Sequence, residues 1–99
     1  MLSLGENNLT GVLPVELFRL VNLEELYLSS NGLCGVIPAE IGQLLQLKEL
    51  FMSWNQLSGE IPEEIGRLVN LTKLFLNGNK LTGRIPETVI QVIFMGYLF

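Results

Sequence analysis

The chain has 99 residues, of which 48% are hydrophobic and 16% charged, and its formal net charge is -4. This composition predicts one packed domain and excludes a disordered segment. The six Lys and Arg residues are dispersed, which excludes the basic patch that nucleic-acid binding requires. Histidine is absent and cysteine occurs once, so a His/Cys metal site, a disulfide framework and a Ser-His or Cys-His catalytic pair are excluded. No cofactor is expected.

The sequence repeats itself every 24 residues. In each turn an asparagine is followed by a leucine, then a glycine, then a proline. The recurring asparagines are Asn7, Asn31, Asn55 and Asn79, and the recurring prolines are Pro14, Pro38, Pro62 and Pro86. Agreement of so many columns over four turns predicts a solenoid, in which each turn buries its apolar face against its neighbours.

Each turn begins with the pattern L-x-x-L-x-L, for example LEELYL at residues 23–28. This alternation predicts a short strand with one buried face. Stacked turns place such strands side by side in a parallel sheet, about 4.7 to 4.9 Å apart. The buried leucines of all turns then form one continuous core.

An asparagine follows each strand where the chain must bend. Its side chain is expected to bond backbone groups that have left the sheet, so the four asparagines are interpreted as structural. The next glycine relaxes the turn, and the following apolar-proline pair favours an extended segment. The stretch PEEIGRLVN, residues 62–70, has apolar residues three apart and predicts a short helical turn on the opposite, convex side.

The segment LEELYLSSNGLCGVIPAEIGQL, residues 23–44, matches the pattern L-x-x-L-x-L-x-x-N-x-L-x-G-x-I-P-x-x-I-G-x-L almost residue for residue. On this pattern the chain resembles the plant-type leucine-rich repeat family. The resemblance implies an α/β solenoid, a right-handed superhelix with parallel strands on the concave face and short helical or 3₁₀ turns on the convex face. One domain over residues 1–99 is expected, divided into repeats at 1–22 (partial), 23–46, 47–70, 71–94 and 95–99 (partial).

Members of this family type include ectodomains of receptor-like kinases and receptor-like proteins, and inhibitors of cell-wall polygalacturonases. The resemblance therefore implies a non-catalytic module in signalling or defence, whose partner is a protein or peptide ligand or a co-receptor. It also implies the extracellular face of the plasma membrane or the cell wall. The chain itself does not define a compartment, since no basic segment followed by an apolar run marks a signal peptide.

Family ectodomains usually carry cysteine-paired caps, which this chain lacks, so the sequence predicts a fragment of a longer protein. A kinase domain of such a parent is not in this chain. Two alternatives stay open: a self-associating or vestigial structural fragment without a dedicated ligand, and an intracellular scaffold. The apolar tail VIQVIFMGYLF, residues 89–99, is too short for a membrane span of roughly 18 to 20 residues and is interpreted as the start of a fifth turn.

One column of outward strand positions carries aromatic residues in successive turns. It consists of Tyr27, Phe51, Phe75 and Phe99. Because alternate side chains of a strand point to opposite faces, these rings are expected on the concave face, outside the core. Large rigid rings in such positions are typical contact anchors for a partner. The alternative is that the rings stack on one another and shield the sheet.

Further residues are predicted to contact a partner on this face. The outward polar positions are Glu25, Ser29, Glu49, Ser53 and Lys73. Trp54 departs from its own column, where the other turns place Glu6, Ser30 and Gly78. A residue that breaks the repeat is not needed to maintain it, so Trp54 is the strongest candidate for a partner contact.

Two N-x-[ST] sequons begin at Asn8 and Asn70, and both predict N-glycosylation if the chain enters the secretory pathway. The same Asn-Leu-Thr triplet also arises from the repeat itself. Cys34 occupies a column of small hydroxyl residues and is interpreted as a packing residue. Glu63 and Glu64 are adjacent, so they do not share a helical face and are not predicted to form a general acid/base pair. No enzyme is expected.

Overall fold

Short parallel strands in two sheets form the framework of this computed structural model, which describes residues 1–92 and 97–98. The first sheet contains, in spatial order, β1 (Leu2–Ser3), β3 (Glu25–Tyr27), β5 (Glu49–Phe51), β7 (Lys73–Phe75) and β9 (Tyr97–Leu98). The second contains β2 (Thr10–Val12), β4 (Gly32–Gly35), β6 (Gln56–Glu60) and β8 (Lys80–Thr82). The outward surface of the first sheet is the concave face.

In the first sheet, paired residues of neighbouring strands are 24 positions apart in the chain, which is the length of the sequence repeat. Leu26 pairs with Leu50, and Leu50 pairs with Leu74. The ladder continues beyond the strands, because the backbone N–H of Ser30 donates to the carbonyl of Ser53 at 2.9 Å and that of Trp54 to the carbonyl of Asn77 at 2.9 Å. In the first sheet, each column of the sequence is therefore a row of neighbouring residues, and the ladder extends to the row that carries Trp54.

Short helical segments cover the side opposite the first sheet. Three are 3₁₀ helices, at Val15–Arg19, Ala39–Gln43 and Glu63–Arg67. Each follows a proline in extended conformation, whose fixed φ and missing N–H suit the entry to a helix. The fourth turn carries a short α-helix, α1 (Glu87–Val92). The predicted strands on one face and helical turns on the other are confirmed.

The core lies between these two layers and consists of one leucine-rich cluster. Leu26, Leu50 and Leu74 are fully buried, one from each of three successive strands. Successive turns also approach closely on the convex side, where a Cβ on Gly66 would lie 2.6 Å from Cβ of Thr88. The core thus extends along the solenoid and leaves the outward side chains of the first sheet to form a surface.

Candidate functional site

The asparagine column lies directly behind the bend that follows each strand of the first sheet. Asn55 is 4% exposed. Its Oδ1 accepts the backbone N–H of Leu33 at 3.1 Å, and its Nδ2 donates to the carbonyls of Leu28 at 3.0 Å and Met52 at 3.1 Å. The amide therefore connects two successive turns, and its donors and acceptor are directed at backbone groups.

Asn31 and Asn79 make equivalent bonds. Oδ1 of Asn31 accepts the N–H of Leu9 at 3.0 Å, and Oδ1 of Asn79 accepts the N–H of Leu57 at 3.0 Å. Asn7 differs: it is exposed, and its Nδ2 donates to Gly5 within its own turn at 2.8 Å. Nδ2 of Asn7 therefore bonds within its own turn, whereas Nδ2 of Asn31 also donates to the carbonyl of Leu4 in the turn before at 2.9 Å.

The aromatic column of the concave face is a stack of rings. The ring centroids of Tyr27 and Phe51 are 4.7 Å apart with planes inclined by 25°, and those of Phe51 and Phe75 are 4.7 Å apart with planes inclined by 8°. This spacing follows from the in-register strands, which lie at nearly the same separation. The rings are half-buried, so they shield the sheet and still present surface to solvent. Phe99 lies outside the described residues.

Carboxylates surround the end of this stack. The Tyr27 hydroxyl lies 2.8 Å from Oε1 of Glu49 and 3.1 Å from Oε2 of Glu25. Its hydrogen bond to Glu49, its partial burial and its bond to Glu25 raise the pKa of Tyr27 far above its ordinary value. Lys73 Nζ lies 3.9 Å from Oε2 of Glu49, which is a long ion pair. The predicted residues Glu25, Glu49 and Lys73 are thus brought together with Tyr27.

A second ion pair borders the face, between Lys48 Nζ and Oε1 of Glu24 at 2.8 Å. Bonding to Lys48 lowers the pKa of Glu24, and bonding to Glu24 raises the pKa of Lys48. Both side chains are more than half exposed, so solvent screens this pair and it adds little stability.

Ser53 does not lie on the surface, contrary to the prediction. It is 7% exposed, and its hydroxyl donates to Oδ1 of Asn77 at 2.6 Å. Its backbone N–H donates to Oγ of Ser29 at 3.0 Å. The sheet ladder continues past the strands into this row, where short polar side chains bond across neighbouring turns; Ser53 is buried there, Ser29 is half-buried and Asn77 is exposed.

Trp54 lies at the edge of the concave face with 62% of its surface exposed. Its φ is 59°, and the equivalent residues Glu6, Ser30 and Gly78 have φ values of 57°, 60° and 75°. The bend therefore requires a left-handed residue in every turn, which suits glycine and costs a bulky residue about 1 to 2 kcal/mol. The indole lies over Gly78, where an added Cβ would lie 2.6 Å from Cδ2 of Trp54.

The left-handed backbone of this row was not anticipated from the sequence. The signal for it is Gly78, which marks the conformation that the other residues of the column share. Asn8, one of the two sequon asparagines, is also left-handed with φ 57° and is exposed. Asn70 is exposed as well, and the hydroxyl of Thr72 in its sequon donates to the carbonyl of Lys48 at 3.1 Å.

None of the helices formed by residues 1–92 has the length and apolar character needed to cross a membrane. The sequence profile of the Leucine Rich Repeat family matches residues 22–44, 46–68 and 70–91. A search of curated proteins gives no match. Similar solved structures include ectodomains of plant membrane receptors.

The ectodomain of the receptor kinase GASSHO1/SCHENGEN3 from Arabidopsis thaliana, in complex with CASPARIAN STRIP INTEGRITY FACTOR 2, is 41% identical with a TM-score of 0.90. The match covers 97% of this chain and 11% of that chain. The complex of the Arabidopsis receptor kinase HAESA with the peptide hormone IDA and the co-receptor SERK1 gives 43% identity and a TM-score of 0.84, over 98% of this chain and 16% of the other.

The BIR3–SERK2 complex from Arabidopsis thaliana gives 40% identity and a TM-score of 0.86, over 90% of this chain and 48% of the other. The chain therefore spans between 11% and 48% of the three chains that it matches here. Matched repeats over most of its length, two parallel sheets and these similarities show that it belongs to the leucine-rich repeat family, with repeats of the plant type.

Proposed function

We propose that this chain is a non-catalytic protein- or peptide-binding module, part of a receptor-like kinase or receptor-like protein in plant signalling or defence, and that its concave face contacts the partner. Similar ectodomains were solved with the peptide hormone IDA and with CASPARIAN STRIP INTEGRITY FACTOR 2. Such a parent would place the chain at the cell exterior, where the exposed sequon asparagines Asn8 and Asn70 are expected to be glycosylated.

The exposure and strained backbone of Trp54 are the observations that best support partner binding on the concave face. Its left-handed backbone is unfavourable for a bulky side chain, and burial does not offset this cost because 62% of the residue is exposed. Gly78 occupies the same position one turn later without strain. The fold therefore does not need a tryptophan here, whereas an exposed indole is typical of an interface anchor.

The size of the face limits the partner segment. Five neighbouring strands span about 20 Å, which accommodates roughly six residues of an extended peptide. Because its central strands have three residues and are roughly 10 Å long, the face covers an area on the order of 200 Å², well below the roughly 800 Å² per partner of a standard stable interface. The chain alone is therefore expected to bind weakly, and a longer receptor would supply the remaining contacts.

A second function, self-association, is favoured by an apolar depression of about 290 Å³ at the first turn. Its lining includes Leu4, Leu9, Leu13 and Leu17, and Val12 beside them is 66% exposed. Size-exclusion chromatography over a range of concentrations distinguishes the two functions. An oligomer that is abolished by Val12→Glu and retained by Phe51→Ala would assign the chain to self-association.

Biolayer interferometry tests the proposed function. The immobilised chain is exposed to the SERK2 ectodomain and to the peptides IDA and CASPARIAN STRIP INTEGRITY FACTOR 2. Phe51→Ala, which removes the central ring, is expected to weaken any binding at least about tenfold. Val69→Ala is the control, since Val69 is 74% exposed in the turn before β7, outside the sheet. Equal binding by the wild type and Phe51→Ala, or no binding in the panel, would count against the proposal.

A further inference from the structure

We propose that the partner segment is basic, and that one of its arginine side chains stacks on the open face of Tyr27, above Ser3, beside the carboxylates of Glu25 and Glu6. This inference rests on the proposed function, because it names the chemistry of the partner that the concave face binds.

The aromatic column ends at Ser3. In register, Ser3 pairs with Tyr27, Tyr27 with Phe51 and Phe51 with Phe75. One face of the Tyr27 ring stacks on Phe51, while the neighbour on its other side is the short side chain of Ser3, which is exposed. The stack therefore has a vacant position, one ring thick, at the end where the column carries serine.

A depression of about 490 Å³ occupies this position. It is lined by Ser3, Gly5, Glu6, Tyr27, Ser29, Ser30 and Phe51. Its lining combines two aromatic rings, three serines, a glycine and one carboxylate. It is large enough for a long side chain together with part of its backbone.

The charge around the depression favours a cation. Lys48 is paired with Glu24 and Lys73 lies near Glu49, but within residues 1–92 no Lys or Arg nitrogen lies within 4.0 Å of Glu25 or Glu6. The whole chain is acidic, with a net charge of -4. Among residues 1–92, Glu25 and Glu6 therefore border the open ring face without an ion pair within 4.0 Å, although Lys48 interacts electrostatically with Glu25 at longer range.

The contacts of the Tyr27 hydroxyl favour a partner with several donors. It lies 2.8 Å from a Glu49 oxygen and 3.1 Å from a Glu25 oxygen, but a hydroxyl has one proton and donates to one carboxylate at a time. The other contact brings two oxygen atoms together without a hydrogen between them. A guanidinium is planar and carries five N–H donors. It can therefore stack on the aromatic ring and donate hydrogen bonds to the carboxylate at the same time. An ammonium offers no flat face, and a phenyl ring offers no donor.

Titration by ¹H–¹⁵N NMR tests this inference with short Gly-Ser peptides that differ only in one central residue, Arg, citrulline, Lys, Phe or Glu. The arginine peptide is expected to shift the amides of Ser3 and Tyr27 and to bind about tenfold more tightly than its uncharged isostere citrulline. Glu25→Gln is expected to weaken binding about fivefold, and added salt to weaken it further.

Ser3→Phe provides a blocking variant that keeps the fold, since phenylalanine suits a strand and extends the ring column into the vacant position. It is expected to abolish arginine binding, whereas Ser3→Ala, which leaves the position open, is expected to retain it. Retained binding in Ser3→Phe, or binding of the arginine peptide no tighter than citrulline, would overturn the inference. Tighter binding of the phenylalanine peptide would also overturn it while leaving the proposed function intact, which fails instead on the Phe51→Ala comparison above.

Discussion

Trp54 and Asn55 are adjacent in the chain, but they belong to two regions that differ in whether their side chains are accessible to a partner. Asn55 is 4% exposed, and its amide bonds to backbone groups of two turns. Trp54 is 62% exposed in a backbone conformation that suits glycine. In the asparagine column, repetition of one residue reflects a requirement of the backbone. In the row of Trp54, the residue varies from turn to turn because the backbone requires a left-handed conformation there but no particular side chain.

The largest effect is expected for Asn55→Ala. It leaves the buried N–H of Leu33 without this partner and removes one of two asparagine bonds from each of the carbonyls of Leu28 and Met52, which should lower the free energy of unfolding by about 2 to 4 kcal/mol. Urea denaturation measures this. Asn7→Ala, in the exposed first turn, should cost less than about 1 kcal/mol. An equal loss in the free energy of unfolding for the two variants would contradict the structural role assigned to Asn55.

Phe51→Ala is expected to destabilise less than the asparagine variant. It removes the ring that stacks on both Tyr27 and Phe75, at a cost of about 1 to 3 kcal/mol for two ring pairs and a half-buried side chain. Phe51→Leu keeps apolar volume without the stack and should recover about half of the loss. A Leu variant as unstable as the Ala variant would show that ring stacking, not burial, dominates the effect.

Trp54→Gly is expected to change the free energy of unfolding by less than about 1 kcal/mol, because relief of the left-handed strain offsets the lost contact with Gly78. Partner binding should nevertheless fall about tenfold. Chemical denaturation and interferometry on the same sample separate the two effects. A loss of several kcal/mol would show that the indole is part of the fold, as Asn55 is.

A double-mutant cycle with Gly78→Ala sharpens this test. The added Cβ would displace the Trp54 indole and strain a residue with φ 75°. In the Trp54→Gly background only the backbone strain remains, so Gly78→Ala should be less destabilising there, with a coupling of about 1 kcal/mol. Additive effects would contradict the contact between the indole and Gly78.

The smallest effect concerns pH. The raised pKa of Tyr27 means that the unfolded chain loses this proton at about pH 10 while the folded chain keeps it. The folded state then binds more protons, so this contribution to stability is present below pH 10 and is lost as pH rises above it. In a Tyr97→Phe background, Tyr27 is the sole tyrosine and its phenolate absorbance reports its titration directly. Titration near the ordinary pKa would contradict the contact with Glu49.

The backbone was largely predictable because a 24-residue repeat imposes the same conformation on each turn. The strands, the helical turns after each proline and the leucine core follow from it. The details of the concave face were not predictable, since they depend on neighbours that are distant in the chain. Burial of Ser53 depends on Asn77, which lies one turn later. The contact of Tyr27 with Glu49 likewise crosses turns, and the vacant position above Ser3 becomes evident only when the rings are seen to stack.

Hydroxyl-radical footprinting of the chain, alone and bound to the panel member that it recognises, tests the central claim most directly. Oxidation at each side chain reports whether the partner covers it. The account predicts protection of Tyr27, Phe51 and Trp54, with unchanged oxidation of Val69 and of Val15 in the first 3₁₀ helix, which are exposed elsewhere. Protection of Val15 and Val69 with unchanged oxidation of Trp54 would contradict it and move the partner to another surface of the solenoid.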